Sequence, residues 1–173
     1  MPRQTIFTIG HSTRSVEEFI ALLLAHHVEL VVDVRTVPRS RRNPQFSRET
    51  LPDSLQAAGI GYEHAAALGG FRRPGRESPN AGWRNTSFRG YADYMQTSTF
   101  VAAIETLAER AERQRPAVMC AEAVPWRCHR SLIADALVAR GIKVEEIIST
   151  NRTQPHAMTS FAHVEGTAVT YPG

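Results

Sequence analysis

Apolar positions along the chain switch repeatedly between short continuous runs and a three-to-four-residue spacing, which predicts strands and helices in alternation. Residues 4–10 form a β-like run around Ile6, Phe7 and Ile9, followed by the polar turn His11-Ser12-Thr13-Arg14. Ser15 and Glu18 fit a capping box, and Val16, Phe19, Ile20, Leu23 and Leu24 follow at helical spacing. Residues 29–34 are a compact apolar run, as expected of a strand buried on both faces. The chain therefore opens strand–helix–strand, the unit of a parallel sheet.

The pattern predicts a helix over 48–58 ended by Gly59, a third strand at 60–64, and a long loop over 65–87 rich in Gly, Pro, Arg and Asn. A short helix is expected at 88–95, then a stronger one capped by Ser98 and running to about Arg113. A buried strand at 117–121, a helix at 129–140 stopped by Gly141, and a core strand at 143–148 complete the series. The tail holds two strand-like pieces, 160–164 and 167–171, with Glu165-Gly166 as a hairpin turn. These elements imply an α/β sandwich with helices on both sheet faces and a hairpin-like tail. The 173 residues read as one domain, with a core at about 4–150 and a tail at 151–173.

Composition alters this picture in one respect. Of 20 basic residues only Lys143 is lysine, and the arginines cluster: residues 35–48 hold five with no acid, and 71–89 hold five with Glu77 the one acid. These segments carry +5 and +4 against a net charge of +3, so the rest of the chain sums to −6. Clustered guanidiniums suit carboxylates and phosphates, although arginine runs are commonly solvated loops. No apolar run approaches the ~20 residues of a membrane helix, and the N-terminal segment leaves no room for a signal peptide. The expectation is a cytoplasmic protein with its two cysteines reduced and no membrane partner. Nothing in the sequence sets an oligomeric state.

The densest chemistry lies in Cys120-Ala-Glu-Ala-Val-Pro-Trp-Arg-Cys-His-Arg130, between a predicted strand and a predicted helix. Three polar clusters follow core strands: His11–Arg14, Asp33 with Arg35, and Cys120 through Arg130. Open α/β sheets place their ligand sites at such strand ends. Cys120 reads as a nucleophile activated by Arg127, His129, Arg130 and a helix dipole, or as a buried small hydrophobe, or as a metal ligand. The Cys-x5-Arg spacing of tyrosine phosphatases is absent, since position 126 is Trp. Glu122 is the general acid/base candidate, because in an extended segment it shares a face with Cys120, and His11 is its candidate partner. Ser12 stands beside His11 and, with Asp33, Cys128 and His129, is a candidate ligand-binding residue. Asp33 either pairs with Arg35 or caps backbone N–H groups. Arg35, Arg39, Arg41 and Arg130 form the candidate anion clamp. Cys128 is expected to pack against the sheet, and Cys128 and His129, as helix-start neighbours, to diverge by about 100°. No metal and no cofactor is expected: ligand spacings are wrong for zinc, and Thr8-Ile-Gly-His-Ser12 has one Gly where a dinucleotide loop needs three. Trp83 and the aromatics at 88–94 offer a flat surface, Tyr91 and Tyr94 read as core, and His156 is placed to approach from the tail.

Thr8-Ile-Gly-His-Ser12, Asp33-Val-Arg35, Pro38-Arg-Ser40, Leu68-Gly-Gly70, Tyr91-Ala-Asp-Tyr-Met95 and Cys120-x-Glu-x-x-Pro-x-x-Cys-His-Arg130 together resemble the domain-of-unknown-function family 488. The resemblance runs through roughly 5–150 and implies a Rossmann-like α/β fold, with a three-layer sandwich and a mostly parallel sheet. It implies no activity. From the residues themselves, the expected function is an enzyme, a hydrolase or group transferase, acting on a small phosphorylated or nucleotide-like anion. The alternative is a nucleic-acid-associated protein gripping phosphates through its arginine loops, or a ligand-binding protein without catalysis.

Overall fold

A computed structural model of the chain describes residues 5–38, 40–70 and 72–173. The expected strand residue Gln4 and the expected clamp residue Arg39 lie outside them. Among the described residues, β1 (Thr5–Gly10), α1 (Val16–Ala25), β2 (Leu30–Asp33), α2 (Leu51–Ala57), β3 (Gly61–His64), α3 (Thr86–Tyr94), α4 (Ser98–Arg113), β4 (Pro116–Cys120), α5 (Arg130–Ala139), β5 (Lys143–Ser149) and β6 (Arg152–Pro155) follow in order, with a separate hairpin of β7 (His163–Glu165) and β8 (Ala168–Thr170). The six-stranded sheet has the order β3-β2-β4-β1-β5-β6 and is parallel except for β6, which returns antiparallel on β5. No helix among these residues is long and apolar enough to cross a membrane.

Strand side chains alternate between faces with period two, and that alternation builds two cores. Ile6, Val32, Val118 and Val144 point to one face, where Phe100, Ile104 and Leu107 of α4 and Leu132, Ile133 and Leu137 of α5 cover them. Phe7, Ile9, Val31, Ala117 and Met119 point to the other, beneath Phe19 and Leu23 of α1 and Leu51 and Leu55 of α2. The layers are thus α1 and α2, the sheet, then α3 to α5. The tail closes the second helical layer. Fully buried Asp135 of α5 accepts from the Tyr171 hydroxyl at 2.7 Å, the Thr159 hydroxyl at 2.6 Å and the Thr159 N–H at 3.1 Å, and its carboxylate lies 2.7 Å from His156 Nε2.

Local chemistry explains where the elements differ from the periodicity. The capping box is formed: the Ser15 hydroxyl accepts the Glu18 N–H at 3.1 Å, and the Glu18 carboxylate accepts the Ser15 N–H at 3.3 Å. Ahead of α4 the cap is Thr97, not Ser98, since the Thr97 hydroxyl accepts the Phe100 N–H at 3.3 Å. α2 begins at Leu51 rather than at 48, because the 3-10 turn Pro44–Phe46 and the turns after it occupy the preceding residues. α3 starts earlier than expected, at Thr86, because Asn85 accepts the N–H groups of Ser87 and Phe88. β6 was not apparent in a segment of mostly polar residues, and it forms because an edge strand needs little burial.

Beyond β1, the ladder with β4 continues into the loops. The His11 N–H donates to the Cys120 carbonyl at 2.9 Å, and the Ser12 N–H to the Ala121 carbonyl at 2.9 Å. This brings residues 121–123 directly across Gly10, where a Cβ would stand 1.8 Å from the Glu122 carbonyl oxygen. Only glycine permits that crossing. Gly10→Ala is expected to lower stability by at least about 1–3 kcal/mol, read as a shift of the denaturant midpoint. An unchanged midpoint would mean that the 121–123 segment is free to move aside.

Candidate functional site

The strand order makes β2, β4 and β1 adjacent and parallel, so the chain segments after them share one sheet edge. All three polar clusters converge there. The two-residue alternation then divides them between faces. Cys120 continues the Val118 face, toward α3–α5, whereas Asp33 continues the Val31 face and His11 the Ile9 face, toward α1 and α2.

On the α1–α2 face, Asp33 and Arg35 form a buried bidentate pair, with Arg35 Nε and Nη2 donating to the two carboxylate oxygens at 2.9 and 2.7 Å. Arg35 Nη2 also donates to the Phe46 carbonyl at 2.7 Å, and the Tyr62 hydroxyl donates to Asp33 at 2.5 Å. Burial and the Asp33 carboxylate push the Tyr62 phenol well above its ordinary pKa. The His11 ring stacks on Phe46 with centroids 4.4 Å apart, its Nδ1 lies 2.8 Å from the Ser12 carbonyl, and its Nε2 lies 3.4 Å from Arg35. Burial, chiefly, lowers its pKa. Ser12 takes a left-handed backbone with φ of 50°. Arg35 is thus committed to Asp33 and to the loop it braces, and His11 stands on the face opposite Cys120.

On the α3–α5 face lies a cavity of about 320 Å³, lined by Val37, Gly70, Phe88, Tyr91, Arg127 and the thiol pair Cys120 and Cys128, with Glu122 and His129 also on its wall. β4 ends at Cys120 and the chain bends at once. Glu122 is therefore not in extended register with Cys120: its side chain is exposed, and its main-chain carbonyl accepts from Arg130. Cys128 follows the 3-10 turn Pro125–Arg127 in extended conformation, before the first residue of α5. The divergence expected of neighbours on a helix start therefore does not arise, and Cys128 Sγ lies 3.6 Å from His129 Nδ1.

The His129 ring is fixed from its other side. Nε2 faces two carbonyls, Val34 at 2.9 Å and Leu68 at 3.1 Å, so it carries a proton and donates. Nδ1 is left to face the sulfur. Tyr91 packs 4.9 Å from this ring and donates its hydroxyl to the same Leu68 carbonyl at 2.9 Å. The thiols are unequal. The neighbouring Cys120 thiol first, then the His129 ring at 3.6 Å and the Arg130 backbone N–H at 3.4 Å, hold Cys128 well below the ordinary thiol range despite burial. Burial first, and then the neighbouring Cys128 sulfur, push Cys120 well above it, against the attraction of Arg130. Ionisation is thus favoured at Cys128 over Cys120.

Arg130 organises this face. It is fully buried, with Nη1 2.7 Å from Cys120 Sγ, Nη2 2.6 Å from a Glu146 carboxylate oxygen and 3.1 Å from the Ala123 carbonyl, and Nη1 also on the Glu122 carbonyl. Burial opposes its charge, but Cys120 and Glu146 outweigh burial and raise its pKa. Thr8, the register partner of Glu146 on β1, donates its hydroxyl to the other carboxylate oxygen. Arg130 is therefore an internal brace and not a free clamp. Arg41 is exposed on its loop, whereas Arg127 and the Asp33-paired Arg35 both line the cavity. Trp83 packs against Phe88, Phe161 and Tyr171, and His156 serves Asp135. Sequence reasoning missed Glu146, Tyr62 and Thr8. A carboxylate between Val144 and Ile147 in a core strand was the available signal for Glu146, of the same kind that singled out Asp33.

Fold and site define a mixed α/β protein with a thiol-lined cleft at the C-terminal edge of its central strands. The chain belongs to the family described as domain of unknown function DUF488, whose model matches residues 15–137. No curated protein and no solved structure matches it.

Two outcomes test this geometry. Arg130→Met strands the Glu146 carboxylate in the core and is expected to cost about 3–5 kcal/mol in chemical denaturation; a cost under about 1 kcal/mol would deny Arg130 its bracing role. His11 is favoured neutral in the fold, since its folded pKa lies below its unfolded value of ~6.5. Between those two values the unfolded chain binds the extra proton, so stability falls as pH drops below ~6.5. His11→Gln is expected to flatten that part of the stability–pH curve, and an unchanged slope would assign it to other groups.

Proposed function

We propose that the protein is a thiol-dependent enzyme, a hydrolase or group transferase, whose nucleophile is Cys128 and whose substrate is a small anion with an apolar or aromatic body. The observation that carries this reading is the set of polar groups around one buried sulfur: His129 Nδ1 at 3.6 Å and the first backbone N–H of α5 at 3.4 Å, with the Cys120 thiol in the same cavity lining. A thiolate held at a helix N-terminus beside an imidazole is a competent nucleophile at neutral pH. His129, its Nε2 fixed on carbonyls, keeps Cys128 ionised and is placed to return a proton to a leaving group. Arg127 and the positive end of α5 receive the substrate's charge, while Val37, Phe88 and Tyr91 receive its body. Glu122, exposed at the wall, is the group available to direct water onto a covalent intermediate. Asp33, Arg35, His11 and Ser12 hold the neighbouring strand ends in place. The reading suits a reducing compartment such as the cytoplasm, where both thiols stay free.

The test is the alkylation rate of each cysteine against pH, by peptide mass mapping. Cys128 is expected to react at a rate already level at pH 7 and to be slowed by phosphate monoesters in competition. Cys120 is expected to react only on unfolding. A Cys128 rate that climbs with a midpoint near the ordinary ~8.5 of a free thiol would overturn the assignment.

A further inference from the structure

The cleft holds a second sulfur that a single-nucleophile mechanism does not consume. Cys120 and Cys128 are both free, both buried and on one wall, only 3% and 7% exposed. Both sulfurs line the same cavity, as neighbours that alter one another's ionisation. Arg130 holds both: its Nη1 is 2.7 Å from Cys120 Sγ and its backbone N–H 3.4 Å from Cys128 Sγ. Between them, residues 121–127 leave the sheet as a bend and a 3-10 turn, in which Ala121, Glu122, Ala123, Trp126 and Arg127 are exposed, Trp126 at 71%. A surface segment of that kind accommodates the small approach that a disulfide of ~2.05 Å demands.

We propose that Cys120 and Cys128 are a reversible dithiol–disulfide pair, with Cys128 the attacking and Cys120 the resolving sulfur, and that a small hydroperoxide is the oxidant. The Cys128 thiolate attacks the terminal peroxide oxygen and the O–O bond breaks. Cys128 becomes a sulfenic acid, and the departing alkoxide or hydroxide takes up the proton that the Cys128 thiol had released. Cys120 then attacks the Cys128 sulfur, giving its proton to the leaving hydroxyl, so the S–S bond forms and water departs. Two thiols lose two electrons, and one peroxide is reduced to an alcohol or water. The inequality of the two thiols suits this division, since the ionised sulfur attacks first and the protonated one supplies the proton that water needs. The inference rests on Cys128 as the reactive sulfur of the proposed enzyme and adds that oxidation would silence it. A thiol reductant would restore it.

The experiment uses the full chain, reduced and then given a stoichiometric amount of hydrogen peroxide or an alkyl hydroperoxide. Trypsin cutting at Arg127 separates the cysteines, so the disulfide is read as a link between peptides 114–127 and 128–130. The expected product is that linked pair, about 2 Da lighter than the two thiol peptides, and lost on adding dithiothreitol. In Cys120→Ser, and in Cys120→Ala as a second variant checked for a native circular dichroism spectrum, Cys128 is expected to stop as a sulfenic acid trapped by a dione reagent. Disulfides between chains, oxidation of Cys128 with Cys120 left free in the native protein, or no reaction of either would overturn the proposal. The two readings fail separately. Fast alkylation of Cys128 without a disulfide leaves the enzyme reading standing alone. A disulfide with Cys128 alkylating like an ordinary thiol leaves only the redox pair.

Discussion

The Arg130 guanidinium is the interaction on which the cleft depends. It joins three things that are distant in sequence: Glu146 on β5, Cys120 at the end of β4, and the carbonyls of Glu122 and Ala123 where the chain crosses β1. A cation in the core is costly without partners, and here the partners are what shape the site. Because Glu146 is also taken by Thr8, the network spans β4, β1 and β5, and the first residue of α5 is pinned to the centre of the sheet. Cys128, two residues earlier, therefore lines the same cavity as Cys120.

The second constraint is the pleat of the sheet. Strands β1, β2 and β4 end side by side, yet a residue's position, odd or even, decides which face it serves. Asp33 and His11 fall on the face of α1 and α2, and with Arg35 and Tyr62 they form a rigid block that fixes the end of β2. Cys120 falls on the opposite face. The two blocks still communicate through the backbone, because His129 takes the Val34 carbonyl one residue beyond β2. The geometry of the cleft is thereby tied to the Asp33–Arg35 pair, of which Arg35 also lines the cavity.

Much of this was legible in the sequence. The strand–helix alternation, the Ser15–Glu18 box and the convergence of polar clusters at strand ends follow from local rules that tertiary packing did not override. The dense polar segment 120–130 at a strand end was legible, but the difference in acidity between its two thiols was not. Whether Cys120 or Cys128 ionises depends on which one receives hydrogen bonds, and that is set by the 3-10 turn Pro125–Arg127, whose effect on the direction of Cys128 has no periodicity to betray it. Likewise, Arg130 reads as an exposed helix-start cation until Glu146, sixteen residues on, is seen to lie under it. Long-range charge pairing of this kind leaves a trace only as a stray carboxylate in an apolar strand.

The tether of the tail to Asp135 bears on the order in which this chain is made. β1 emerges first but lies between β4 and β5, so the sheet cannot close until residue 149 has been synthesised. Asp135 then remains without the Tyr171 hydroxyl until residue 171 has been added. During that interval α5, which carries one end of the cleft, has a carboxylate in its core face lacking part of its shell. A parallel sheet with distant pairings is already slow to assemble and exposed to misassociation. The sheet can thus be complete once residue 155 is in place while the outer face of α5 still waits for residues 156–171 to fold back onto Asp135.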